Sequence, residues 1–191
     1  MSDPYFPKVL QLARVTQPIE PPTESDWSAV ERDLGLALPE DLKQLLTQLG
    51  NGHFGEFWLF NPCSPSEFTG FSRQNALKFK EDIAPVVKEA GISLYPQLNG
   101  FLRIGYASNR MDLLLRPDPR SGSPYQLIWL DEDYYADGVH KLENMSISRF
   151  FHDFYLGLIP DEWARVDREL VWGPNEPFFL PPDQFDLAKY D

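Results

Sequence analysis

The chain has 191 residues, 42% hydrophobic and 14% aromatic, which suffices for one sizeable core and falls short of two. A net charge of -12, from 29 acidic against 17 basic residues, argues against nucleic acid as a partner, because phosphate binding needs cations that displace counterions. With one cysteine, Cys63, there is neither an intramolecular disulfide nor a thiolate zinc site.

The same charge attracts a basic protein over about one Debye length, ~8 Å at physiological salt. The opening MSDPYFPKVL lacks the basic region and apolar run of a signal peptide. No stretch approaches the ~18 apolar residues of a membrane span. The expectation is a cytoplasmic protein with no membrane partner.

Residues 1–22 read as an added arm. Lys8 to Val15 predicts a short helix with Val9, Leu12 and Val15 on one side, bracketed by Pro4, Pro7, Pro18, Pro21 and Pro22. Thr23 or Ser25 can cap the next helix, with Asp26 at the positive end of its dipole. Trp27, Val30 and Leu34 follow at helical spacing, and Gly35 is placed to stop the helix. Pro39 fits the first position of a further helix, whose buried stripe is Leu42, Leu45, Leu46 and Leu49 and whose end is Gly50. This punctuation fixes two short helices at a set angle, and no group in it is reactive.

"EFWLF" (Glu56 to Phe60) reads as a strand. A helical region from about Ser72 to Ala90 carries Leu77, Phe79 and Ile83, is bent or split at Pro85, and ends at Gly91. The pattern then changes to sheet. "FLRIGYA" (Phe101 to Ala107), "MDLLLR" (Met111 to Arg116) and "YQLIWL" (Tyr125 to Leu130) are strands, with turns at Ser108-Asn109 and at Pro117 to Pro124. Their close spacing predicts an antiparallel meander, with a short fourth strand near Val139 to Leu142. Ser146 or Ser148 starts a last helix with Phe150, Phe151, Phe154, Tyr155 and Leu158 on its apolar face, ended by Pro160.

Residues 160–191 form a tail with eight acidic residues, three basic residues and five prolines. It also holds Trp163, Trp172, Phe178, Phe179, Leu180 and Phe185, an aromatic load foreign to disordered segments. The tail is expected to lie across the domain or to dock on a partner.

The order and motifs of residues 23–159 resemble the SUKH superfamily, named partly for the yeast Smi/Knr regulators of cell-wall synthesis. "WSAVERDLGLALPEDLKQLLTQLGNG" is similar to its opening signature, with Trp27, Glu31, Leu34, Gly35, Leu38, Pro39, Asp41, Leu42, Asn51 and Gly52 at matching positions. "FLRIGYASNRMDLLL", "YQLIWLDED" and "ISRFFHDFYLGL" are similar to its later strands and closing helix. The arm, the tail and His53, which stands where a second glycine is common, depart from the pattern.

The resemblance implies a single α+β domain with an antiparallel or mixed central sheet and helices packed around it. It also implies the usual bacterial role, an immunity protein that neutralises a polymorphic or contact-delivered toxin, with no enzymatic activity and no cofactor. The alternative it carries is a regulatory scaffold of the Smi/Knr type that recruits signalling or cell-wall-synthesis partners.

Catalytic constellations are sparse. His53, His140 and His152 are far apart in sequence, and His152 and Asp153, as helix neighbours, are expected to point in different directions. Phosphate loops and helical zinc motifs are missing from the sequence.

The richest cluster is "LDEDYYADG", where Asp131, Glu132, Asp133 and Asp137 surround Tyr134 and Tyr135 just after a strand. It reads as a contact patch, with carboxylates steering a basic toxin and tyrosines as anchors. It also reads as a solvated acidic turn, or as a divalent-cation site, although its spacing fits no calcium loop. Trp58 and Trp129 lie in apolar strands and are expected in the core.

Overall fold

A computed structural model describes residues 3–15, 17–55, 57–64, 70–107, 111–117, 125–131, 138–159 and 179–180. Within them the architecture is α+β, built on one antiparallel sheet with helices on both faces.

The arm holds the first helix, α1 (Phe6–Ala13). It begins before Lys8 because Pro7 is tolerated in a first turn, and it ends at Arg14, which adopts a left-handed φ of 54°. Val9 and Ala13 are buried in the main core, so the arm is part of the fold.

Helix α2 (Glu24–Leu34) starts with a capping box. Asp26 N–H donates to Thr23 Oγ1, and Thr23 N–H donates back to Asp26 Oδ2. Gly35 closes the helix at φ 64°. Helix α3 (Glu40–Leu49) follows with Pro39 as its N-cap, one position before the place expected, where the missing N–H is equally harmless. Gly50 has φ 80°, and a Cβ there would stand 2.2 Å from the Ile19 carbonyl oxygen, so this turn requires glycine.

Two short strands come next, β1 (His53–Phe54) and β2 (Phe57–Leu59). The long helical region divides into α4 (Arg73–Asp82), capped by Ser72, and α5 (Ala84–Glu89). The break at Ile83 places Pro85 in the first turn of the second helix, where it costs no hydrogen bond. Strands β3 (Leu102–Ala107), β4 (Met111–Pro117), β5 (Tyr125–Asp131) and β6 (Val139–Leu142) complete the meander. Helix α6 (Ile147–Tyr155) is capped by Ser146, and β7 (Phe179–Leu180) pairs with β1.

The strand order is β6-β5-β4-β3-β2-β1-β7, antiparallel throughout. The expected sheet is present, and β1 and β7 are added to it. Helix α6 ends at Tyr155, with Gly157 at φ 75°, several residues ahead of Pro160. Leu158 is therefore off the apolar face and 65% exposed.

Both faces of the sheet are covered. Leu113, Leu115, Leu127 and Trp129 face a core shared with α1, α2, α3 and α6. Leu114, Ile128 and Leu130 face a smaller core under Phe79, Ile83 and Val87. Double burial explains why β4 and β5 read as unbroken apolar runs. Of the tail, Phe179 is buried against Phe54, their ring centroids 5.0 Å apart. Phe179 accordingly lies folded on the domain, and the tail's other aromatics fall outside the described residues.

Candidate partner-contact site

The opening block holds the scaffold together. Glu31 on α2 accepts the Leu38 N–H at 2.8 Å and pairs with Lys43 Nζ at 3.4 Å, which fixes the α2–α3 linker. Asp41, in the first turn of α3, accepts the Tyr125 hydroxyl of β5, and that hydroxyl in turn accepts the Ile147 N–H at 2.9 Å. Burial raises the Asp41 carboxyl above its usual 3.8, and burial together with Asp41 holds the Tyr125 phenol well above its ordinary range. The Tyr95 hydroxyl donates to the Leu34 carbonyl at 2.6 Å. Glu31, Leu34, Leu38 and Asp41 thus bind the helices to each other and to the sheet.

The acidic patch divides. Asp131 closes β5, opposite Met111, and is 3% exposed, so its carboxylate belongs to the strand end. Glu132, Asp133, Tyr134, Tyr135 and Asp137 lie outside the described residues. Gly138 and Val139 resume the chain at the start of β6, so the patch connects two paired strands of the sheet.

The histidines do not converge. His53 is 3% exposed, its ring edge-on to Trp58 at 4.0 Å, and burial lowers its pKa to about 4. His140 sits on β6, opposite Trp129. His152 and Asp153 do meet, contrary to expectation: Nδ1 of the histidine is 2.8 Å from Oδ1 of the aspartate. Each side chain has a further partner: the ring of Tyr5, the N-cap residue of α1, stands edge-on to the imidazole at 5.1 Å, and Arg149 of α6 holds Oδ2 of Asp153 at 3.1 Å. Ser148, on the same helix, is fully buried, and its Oγ has no hydrogen-bond partner among the described residues. The dyad therefore joins the arm to α6. Among the described residues no group of three or more His, Cys, Asp or Glu is placed to hold a metal ion.

Sequence reasoning missed an aromatic strip on the second sheet face. Trp129 is core, as expected, but Trp58 is only half-buried and stacks on Tyr106 at 5.4 Å. Beside it opens a cleft of about 260 Å³ between α4 and β2–β3. Arg103 lies in its wall, 4.5 Å from the Phe79 ring centroid, 4.8 Å from Tyr106 and 5.6 Å from Phe60. Its Nε donates to Asp112 Oδ1 at 2.5 Å, with Nη2 on the same oxygen. The sequence signal was available: a charged residue inside each of two apolar strands, Arg103 in "FLRIGYA" and Asp112 in "MDLLLR".

With this geometry in place, comparison with protein families gives a match of the SMI1 / KNR4 family (SUKH-1) to residues 21–146, about two thirds of the chain. The chain belongs to that family. The matched segment of this SUKH-1 protein runs from just before α2 through β6. Helix α1, helix α6 and β7 lie outside it, yet all three contribute to the main core. A comparison with curated proteins found no match. Among the described residues no helix is long and apolar enough to cross a membrane.

Proposed function

We propose that this SUKH-1 protein is an immunity protein, which binds the toxin domain of a polymorphic or contact-delivered toxin and blocks it with an acidic surface. The observation that carries the reading is family membership over residues 21–146 in a chain of net charge -12. The motif residues Glu31, Leu34, Leu38 and Asp41 are engaged in the scaffold, which leaves recognition to the surface.

Glu132, Asp133, Tyr134, Tyr135 and Asp137 are the proposed contact residues, with Asp131 fixing the strand end from which they leave. Carboxylates steer a basic toxin into encounter, and tyrosines, with few torsions to freeze, slow its release. A nuclease is the best-fitting target, because its surface must be basic to hold nucleic acid. The mechanism needs no turnover, cofactor or metal, and it acts in the cytoplasm, where a delivered toxin would meet its substrate.

The scaffold alternative asks for an arm and a tail free to recruit partners. The burial of Val9 and Phe179 in the domain core weighs against it. Co-expression with the toxin domain encoded beside this chain tests the reading. Rescue of growth together with a nanomolar complex is expected, and failure of both would overturn it.

A further inference from the structure

We propose that a groove between the β5–β6 face and the turn after α5 binds a small amphiphilic anion, a carboxylate or sulfonate carried on an apolar body. None of the residues that line it belongs to the acidic patch, and the proposal does not rest on the immunity reading.

The argument starts from Arg116 on β4 and Gln126 on β5, which face each other in register. Arg116 donates from Nε and from Nη2 to Gln126 Oε1, at 3.0 and 2.7 Å, and its guanidinium lies 4.7 Å from the Phe101 ring centroid. Its remaining contact is a long one, Nη1 to the Asn99 carbonyl at 3.5 Å. A guanidinium stays charged at any physiological pH, and its fork matches a carboxylate. Here the fork is held by a neutral amide, and among the described residues no carboxylate pairs with it.

Arg103 supplies the contrast. It stacks on Tyr106 of its own strand and on Phe79 of α4 but is neutralised by Asp112. Arg116 is fixed just as firmly and left positive, in a chain whose net charge is -12.

The surroundings add a second cation and an apolar floor. Lys141 on β6 is exposed, stands opposite Ile128 on the same face, and forms no ion pair among the described residues. Glu143 also lines the groove and pairs with neither cation. Phe101, Ile128 and Val139 form the floor of a volume of about 460 Å³, within the usual range for small-ligand sites. A bare inorganic ion would leave that floor wet, and a purely apolar molecule would leave Arg116 unanswered. An anion with an apolar body satisfies both.

The test titrates the full chain with anilinonaphthalene sulfonate, an aryl sulfonate, and with neutral phenylnaphthylamine. Saturable one-site binding of the sulfonate is expected. Gln126→Glu gives Arg116 an internal carboxylate and should weaken sulfonate binding about tenfold or more, with the melting temperature held and phenylnaphthylamine unaffected. Lys141→Gln, at an exposed position, should weaken the sulfonate several-fold and keeps the test sharp if Gln126→Glu perturbs the fold. Wild-type sulfonate affinity in both variants, equal losses for the neutral probe, or non-saturable binding would each overturn the proposal.

Discussion

Tyr125 and Asp41 are 84 residues apart in sequence, and the phenol of one donates a hydrogen bond to the carboxylate of the other. With the Ile147 N–H on the same hydroxyl oxygen, one side chain ties β5 to the starts of both α3 and α6. Tyr125→Phe removes the donor from a half-buried carboxylate and the acceptor from a buried N–H. It should cost about 1–3 kcal/mol in urea unfolding, as for other buried polar groups left without a partner.

The same pair predicts a pH dependence. Burial raises the Asp41 carboxyl above 3.8, so the native state holds that proton more tightly than the unfolded chain. The contribution is favourable in acid, below the unfolded value, and is lost as pH rises through the folded value. Asp41→Asn should flatten this part of the stability profile, measured as urea midpoints across the acid range. An unchanged slope would show that the carboxyl is not perturbed.

His53 titrates with the opposite consequence. Its pKa falls from 6.5 to about 4, so the unfolded state protonates first as pH drops. Stability from this group is intact above 6.5 and lost toward 4, by up to about 3 kcal/mol. The difference in midpoints between wild type and His53→Phe should therefore shift with pH across that window and stay constant above it.

Arg103 and Asp112 form a buried ion pair, Asp112 being 1% exposed in its side chain. Arg103→Met takes the guanidinium away from a buried carboxylate and should cost about 3–5 kcal/mol. Arg103→Met with Asp112→Leu should recover most of that loss. If the double variant were no better than the single one, packing of the guanidinium against Phe60, Phe79 and Tyr106 would be the larger contribution.

Gly50→Ala places a Cβ 2.2 Å from the Ile19 carbonyl at a φ of 80°. Strain of about 1–3 kcal/mol is expected, relieved by detaching the arm where Ile19 bridges Gly50. Hydrogen exchange should then rise at Asn51, whose N–H donates to Ile19 at 2.7 Å, before it rises in the sheet.

Much of the architecture was legible because punctuation and periodicity agree in this chain. Thr23, Gly35, Gly50 and Ser146 act as caps where a cap was read, Ser72 caps the helical region read as beginning there, and β3, β4 and β5 fall on their apolar runs. Strands β1 and β7 were hidden because two residues carry no period, and β7 is defined only by its pairing with β1. The meeting of His152 with Asp153 was invisible to helical spacing, which gives the direction of each Cβ and not the rotamer that brings the two polar ends together. The acidic patch was read from composition alone, and of its residues only Asp131 is among those described. The cations Arg103 and Arg116 needed the register, because only cross-strand neighbours reveal that one is neutralised by Asp112 and the other held by Gln126.

The most direct measurement of the central claim is the association rate with the cognate toxin domain at increasing salt. It should be made for wild type and for the variant carrying Glu132→Gln, Asp133→Asn and Asp137→Asn. Acidic steering predicts fast association that slows as salt rises, and a variant that associates more slowly and responds less to salt. Identical rates and identical salt slopes in the two proteins, or the absence of any complex, would contradict it.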